Sequence, residues 1–305
     1  MARNRTVPLW HPRYWPSWVG LGLLRTIALL PLPLLSLFGT ILGELMYRLA
    51  PWRRHVAKTN IDACFPQWGP VQRRRLLRRH FHAAGRAVFG TTVAWFAGAR
   101  RMRRLIHVRD PAPLDKALQE DRNVILLVAH FVSVEIGGIF LSIDVPVVDI
   151  YRTLRNPVFD RAGKVGCERF KGTMVEMREG IMAAVKVAKQ GALLHYIPDQ
   201  DAGRKNAAFI PFFGVPAATM TTLGRLTKIM DAVVIPCFTR QLPWGHGYEV
   251  ILEPALEDFP TGDDLADARR MNEVIEQAVL EMPEQYFWVH KRFKTRPEGE
   301  PNFYR

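Results

Sequence analysis

The chain has 305 residues, 48% hydrophobic and 23% charged, with three cysteines, Cys64, Cys167 and Cys237. This excludes a mainly disordered chain and a small disulfide scaffold, and the scattered thiols form no CxxC pair of the kind a structural zinc site uses. The net charge of +13 is unevenly placed: residues 1–109 hold 19 of the 42 Lys and Arg but only two acids, Glu44 and Asp62. The basic excess is therefore N-terminal and asks for an anionic partner, either nucleic acid or a membrane surface.

Taken in chain order, Trp10, Tyr14, Trp15 and Trp18 come first, as in an interfacial aromatic belt. Thr26 to Gly43 then gives 18 residues without a charge. As a helix this run would be roughly 27 Å long, close to the hydrocarbon thickness of a bilayer. Pro31 and Pro33 would kink it, which lipid tolerates better than water does. Arg48, Arg53, Arg54 and Lys58 follow as a basic flank. A cleaved signal peptide fits poorly, because no small-residue cleavage site follows. A buried core helix is the plain alternative. The favoured reading is a membrane-anchoring helix within residues 1–50, spanning the bilayer or lying in one leaflet.

Residues 71–109 read as Arg-rich helix. Arg73, Arg74, Arg75, Arg78 and Arg79 interleave with Leu76, Leu77 and Phe81, and Arg100, Arg101, Arg103 and Arg104 follow. Solvated helix faces are the bland interpretation. No zinc finger, RNP-like or basic-zipper pattern supports nucleic acid. Beside an apolar anchor, anionic lipid is the simpler partner, so residues 51–109 read as a basic, membrane-apposed helical region.

From residue 110 short apolar runs alternate with amphipathic stretches, the pattern of an α/β domain with a mixed sheet flanked by helices. Strands are expected at Val124–Ala129, Val145–Tyr151, Ala192–Ile197, Val233–Phe238 and Tyr248–Glu253. Helices are expected at 114–120, 133–142, 174–189, 219–230 and 266–281, and Pro254–Asp264 reads as a loop. Residues 110–305 read as the α/β region in which a catalytic site is expected, and 51–305 read as one structural domain.

The chemistry concentrates at strand ends. Val124-Ile125-Leu126-Leu127-Val128-Ala129 is an apolar strand running into His130, with Glu135 five residues on. Ligand sites of open α/β sheets lie at strand C-terminal ends. On one continuous helix the two side chains would point about 140° apart. With His130 on the strand end and Glu135 in the first helical turn they could face each other. A carboxylate on one imidazole nitrogen would leave the other as base. A strand-end His and a helix-start Glu without chemistry are the alternative. Tyr151-Arg152 with Asn156 follows a second strand, and Pro198-Asp199-Gln200-Asp201 with Gly203-Arg204 follows a third. Three polar clusters at three strand ends could converge on one site. Phe209–Gly214 could line an apolar slot beside it, or be ordinary core. GxSxG, Walker, GxGxxG and HExxH motifs are absent, so no covalent acyl-enzyme, nucleotide site or metal is expected.

These segments resemble the lipid A biosynthesis acyltransferases of Gram-negative bacteria, within the wider lysophospholipid acyltransferase group. His130-x4-Glu135 is similar to the group's His-x4-acid motif. More specific are Tyr151-Arg152 with Asn156, Pro198 through Arg204, Phe209–Gly214, and above all the run from Pro283 to Gly299. His11-Pro12-Arg13-Tyr14-Trp15 is similar to the lauroyltransferase branch. The resemblance implies transfer of an acyl group, lauroyl first, from acyl carrier protein to a hydroxyl of a Kdo-bearing lipid A precursor, at the inner membrane with the catalytic region facing the cytoplasm. It implies no cofactor beyond the acyl-carrier co-substrate, and no nucleic acid. His130 would be the general base and Glu135 its support, with Asp199 also needed. Members often carry Gly-Arg-x-Arg where this chain has Gly166-Cys167-Glu168-Arg169, and the resemblance carries the Arg role to Arg169, as a contact to acceptor phosphate or thioester oxygen. Tyr151, Arg152, Asn156, Asp201 and Arg204 are the further candidates for substrate contact. Lys205, Lys291, Arg292, Lys294 and Arg296 could meet the acidic carrier and the phosphorylated acceptor. Other readings of the residues are an acyltransferase for a different lipid acceptor and a non-catalytic basic membrane or nucleic-acid binder.

Overall fold

A computed structural model describes residues 8–205 and 207–304. The N-terminal region is helical: α1 (Trp15–Ile27), α2 (Leu32–Leu49), α3 (Pro51–Cys64), α4 (Pro70–Phe96) and α5 (Ala99–Leu105). The apolar run from Thr26 to Gly43 is not one helix. Pro31 disfavours helical geometry at the residue before it, so α1 ends at Ile27 and a fresh helix starts at Leu32. Pro33 then sits in the first turn of α2, where the missing N–H costs nothing. The anchor candidate moves accordingly to Leu32–Leu49, with mean hydropathy 1.3 and only 22% of it buried. Among the described residues it is the one helix long and apolar enough to cross a membrane by length and composition.

One face of α2 runs antiparallel along α4. Gly43 lies against the Phe81–His82 backbone and Gly85 against Gly39 and Gly43, so closely that an added Cβ would collide with backbone. Small residues spaced by four let two helices approach in this way. Glu44 closes the contact, accepting from Arg78 at 2.8 Å and bonded to the His82 ring at 2.9 Å. The opposite face leaves Leu34, Leu37, Phe38, Ile41, Leu45 and Leu49 exposed.

The main sheet has seven strands in the order β1-β9-β8-β2-β5-β3-β4. In chain order they are β1 (Ile106–Arg109), β2 (Asn123–Leu127), β3 (Val147–Tyr151), β4 (Gly172–Glu176), β5 (Leu193–Tyr196), β8 (Ala232–Gln241) and β9 (Tyr248–Leu252). Between β5 and β8 lies a separate antiparallel hairpin, β6 (Ala207–Phe212) and β7 (Val215–Met220). Only the β8–β9 pairing of the main sheet is antiparallel. Helices α6 (Ala112–Gln119), α7 (Val134–Leu141), α8 (Pro157–Glu168), α9 (Ile181–Ala188), α10 (Leu223–Met230) and α11 (Asp264–Glu281) connect and cover it. The chain is thus α/β with a mixed sheet, as the alternation of patterns implied.

β2 is central, and its unbroken apolar run is explained by burial on both faces. Ile125 and Leu127 join one core together with Val56, Ile61, Leu77 and Phe81 of α3 and α4. Val124 and Leu126 join the other with Val93 and Ile136.

Strands β1, β4, β6 and β7 and helix α8 were not foreseen. Residues 174–189 are not one helix: Met174–Glu176 pairs with β3, and α9 begins at Ile181. Residues 219–230 likewise begin inside β7, with α10 starting at Leu223. Phe209–Gly214 does not line a slot beside His130. It is β6 with its turn, where Phe213 (φ 49°) and Gly214 (φ 76°) supply the left-handed pair a tight hairpin needs. Phe212 is buried between Tyr286 and Phe293.

Candidate active site

β2 and β5 are parallel neighbours with Leu127 opposite Tyr196, and the Val128 N–H extends the ladder to the Tyr196 carbonyl. Three residues past those partners come His130 and Asp199. The strands therefore deliver the two side chains to the same place at the C-terminal end of the sheet. His130 Nδ1 lies 2.5 Å from Asp199 Oδ1, and the His130 backbone N–H donates to Oδ2 at 2.9 Å. Burial alone would raise the Asp199 carboxyl. The charge and the two hydrogen bonds of His130, helped by nearby Arg292, outweigh it and hold the group below the ordinary carboxylate range. In the neutral imidazole, donation of Nδ1–H to Asp199 puts the lone pair on Nε2.

The His130 side chain is 28% exposed while Asp199 is 1% exposed. His130 faces an apolar cavity of about 430 Å³ whose walls include Leu24 of α1, Val88 and Thr91 of α4, Phe159 of α8, and Phe287. The C-terminal run straps this cavity: the Phe287 N–H donates to the His130 carbonyl at 2.9 Å. Tyr286 and Trp288 on either side are buried anchors.

Glu135 does not meet His130. Its Oε1 accepts from the Trp95 indole at 2.6 Å and from the Cys167 thiol at 3.3 Å. The reason is topological: Glu135 is in the first turn of α7, which turns its side chain toward α4 and α8, while the strand pairing has already given His130 its carboxylate. Burial pushes the Glu135 carboxyl up, against the pull of its two neutral donors. It lines a second cavity of about 260 Å³, together with Tyr151, Arg152, Asp149 and His195. Trp95 and Val134 belong to both cavities, so the Trp95 indole is a shared wall. That indole lies on the small-residue face of α8, where a Cβ at Gly166 would come within 2.8 Å of it.

The other expected residues have separate positions. Tyr151 donates to Glu176 at 3.3 Å, and Arg152 is an exposed wall of the second cavity. Asn156 caps α8, accepting from Val158 N–H at 3.0 Å, and its amide reaches Ser17 of α1 at 2.8 Å. Asp201 accepts from Thr295 N–H and Oγ1, both at 3.0 Å, and Arg204 donates to the Arg296 carbonyl at 3.1 Å. Both tie down the C-terminal strap. Arg169 is not in either cavity. Its guanidinium donates to the Ala97 carbonyl at the end of α4 and stacks on Phe170, so geometry gives it a helix-capping position. Arg292, expected at an acidic interface, is buried and bonded to the Ala218 carbonyl and Thr219 Oγ1.

Two features were missed. Trp95 sits in a long amphipathic helix and looks like ordinary core. Asp149 and His195 form a second His–Asp pair across β3 and β5, whose signal was a titratable residue inside each of two otherwise apolar strands.

A His–carboxylate pair at the C-terminal edge of a mixed α/β sheet, opening on an apolar cavity beside exposed apolar helices, has the make-up of an enzyme site. Comparison with known proteins gives the class its family. The family described as bacterial lipid A biosynthesis acyltransferase matches residues 4–295. The chain is 34% identical over 297 residues to the lipid A biosynthesis lauroyltransferase of Escherichia coli K12, covering 97% of each chain. It is also 34% identical to that organism's palmitoleoyltransferase, covering 96% of each, and 31% identical to its myristoyltransferase, covering 95% of this chain and 90% of the relative. The chain belongs to the bacterial lipid A biosynthesis acyltransferase family, and lipid A acyl transfer is the activity that membership supports.

Proposed function

We propose that the chain moves a fatty acyl group, lauroyl in the first instance, from acyl carrier protein to a hydroxyl of the Kdo-bearing lipid A precursor, with His130 as general base. The His130–Asp199 pair carries this reading, because it is a base with a fixed tautomer placed on an apolar cavity. Nε2 takes the proton of the acceptor hydroxyl as its oxygen attacks the thioester carbonyl. The carbon–sulfur bond breaks, and the proton on His130 passes to the departing thiolate. Asp199 stabilises the imidazolium between those events. A thioester is already activated, so a base and correct placement suffice without cofactor or acyl-enzyme. Glu135 supports the site at one remove, by fixing Trp95 between the two cavities. Tyr151 and Arg152, on the Glu135 side, are the candidates for contact with the acceptor, and Asn156, Asp201 and Arg204 hold the segments around it.

The exposed apolar face of α2, with Val19 and Leu23 of α1, supports a membrane seat, which we place at the inner membrane with the catalytic region facing the cytoplasm. α2 lies along α4, which itself packs on the catalytic core, so we place α2 within one leaflet rather than across both. Leu24 reaches the His130 cavity from the same helix that exposes Leu23, which would let a lipid acceptor enter without leaving the bilayer. The test is transfer from lauroyl-acyl carrier protein to Kdo2-lipid IVA by purified protein, with products read by mass spectrometry. His130→Ala should be folded, membrane-bound and inactive. Undiminished turnover in that variant would end the assignment. Palmitoleoyl and myristoyl donors run in parallel would fix the acyl length.

A further inference from the structure

A cavity larger than the one at His130 lies elsewhere on the molecule. It is an open cleft of about 770 Å³ between α3 and the N-terminal half of α4, closed on one side by the end of α2. Its walls carry Arg54, His55 and Lys58 from α3, Arg73 and Arg74 from α4, and Tyr47 from α2. Among the described residues Asp62 is its sole carboxylate, already engaged by Lys58 and Arg73. Four permanent cations against one carboxylate leave the cleft strongly positive. Arg54 spends one nitrogen on the Tyr47 carbonyl and lies over the Tyr47 ring, and Arg74 is exposed with no partner among the described residues.

The position of the cleft indicates its ligand. The exposed apolar row on α2 ends at Leu49, and Trp52, 54% exposed, follows one turn later at the start of α3. Apolar face, interfacial tryptophan and basic cleft come in the order of hydrocarbon, interface and headgroup layer. We propose that this cleft is a binding site for the phosphate of an anionic membrane phospholipid, held by Arg54 and Arg74, which docks the protein on the bilayer independently of the reaction at His130. The inference rests on the membrane seat of α2 and not on acyl transfer, so its readout is retained lipid rather than turnover.

The experiment is native mass spectrometry of the full chain released from dodecyl maltoside micelles doped with phosphatidylglycerol, with phosphatidylcholine as the neutral control. Wild-type protein should retain phosphatidylglycerol in preference to phosphatidylcholine. Arg74→Gln should weaken that retention about fivefold, and Arg74→Glu about 25-fold, as expected for one and two units of charge at a lipid surface. Arg54→Gln should act in the same direction. Arg269→Gln, exposed on α11 outside the cleft, should change nothing. Equal retention by Arg74→Glu and wild type, with both unfolding at the same temperature, would overturn the proposal. So would full displacement by millimolar inorganic phosphate, which would mark a bare phosphate site. Loss of acyl carrier protein binding in Arg74→Glu with phosphatidylglycerol retained would assign the cleft to a protein partner instead.

Discussion

The two cavities on either side of Trp95 use the same kind of residue in opposite ways. On the His130 side, Asp199 is buried, ionised and paired with a base that reaches the open cavity. On the other side, Glu135 is buried with only neutral donors, Trp95 and Cys167, and burial favours its protonated form. A buried carboxylate keeps its charge when a cationic or polar partner supplies more than desolvation removes; otherwise it neutralises. The first arrangement supports proton transfer, and the second holds an aromatic wall in place. Motif spacing, which joins His130 to Glu135, does not distinguish them.

The largest effect expected is from His130→Ala, about 10⁴-fold in kcat/KM, measured with a thioester donor. Asp199→Asn keeps the shape but removes the charge that fixes the tautomer, and should cost about 10³-fold in the same assay. Glu135→Gln can still accept from the Trp95 indole, and should stay within about tenfold of wild type. Glu135→Ala leaves that indole unpaired and should cost about 1–3 kcal/mol of stability, read by denaturant unfolding. A loss in Glu135→Gln as deep as in Asp199→Asn would erase the contrast between the two cavities.

The smallest effects are in stability against pH. Asp199 is held low, so its contribution is present above the ordinary carboxylate range and is lost as pH falls through its folded value. Glu135 is held high, so its contribution is full below that range and is lost as pH rises through its folded value. Comparing melting temperatures, Glu135→Gln should therefore gain on wild type as pH rises from 4 to 8. A constant difference between the two proteins across that window would show that Glu135 does not titrate with folding.

Much of the architecture was readable because burial writes itself into sequence. β2, β3, β5, β8 and β9 are apolar runs, and each was placed to within a few residues. β1 lies inside the stretch 71–109 and most of β4 inside 174–189, both of which read as helix, and β6–β7 were hidden by a turn whose Phe213 is an unusual residue for positive φ. The site was half legible. His130 and Asp199 were each visible at a strand end, but their pairing depends on β2 and β5 being neighbours in the sheet. Strand order is a tertiary fact that a local pattern does not carry. The Trp95 and Cys167 partners of Glu135 were hidden for the same reason: its nearness in sequence to His130 was visible, and the direction set by the first turn of α7 was not. Arg169 and Arg292 show the converse, since charge alone does not say whether an arginine faces a ligand or caps a chain end.

The decisive measurement is a double-mutant cycle at the paired site, scored by kcat/KM for lauroyl transfer. On a His130→Ala background, adding Asp199→Asn should cost less than about twofold further, because the charge then has no base to support. Adding Glu135→Ala to the same background should cost as much as it does in the wild type, because its effect runs through Trp95. The reverse outcome, with Glu135 silent and Asp199 still fully costly once His130 is gone, would contradict the account and return the supporting role to Glu135.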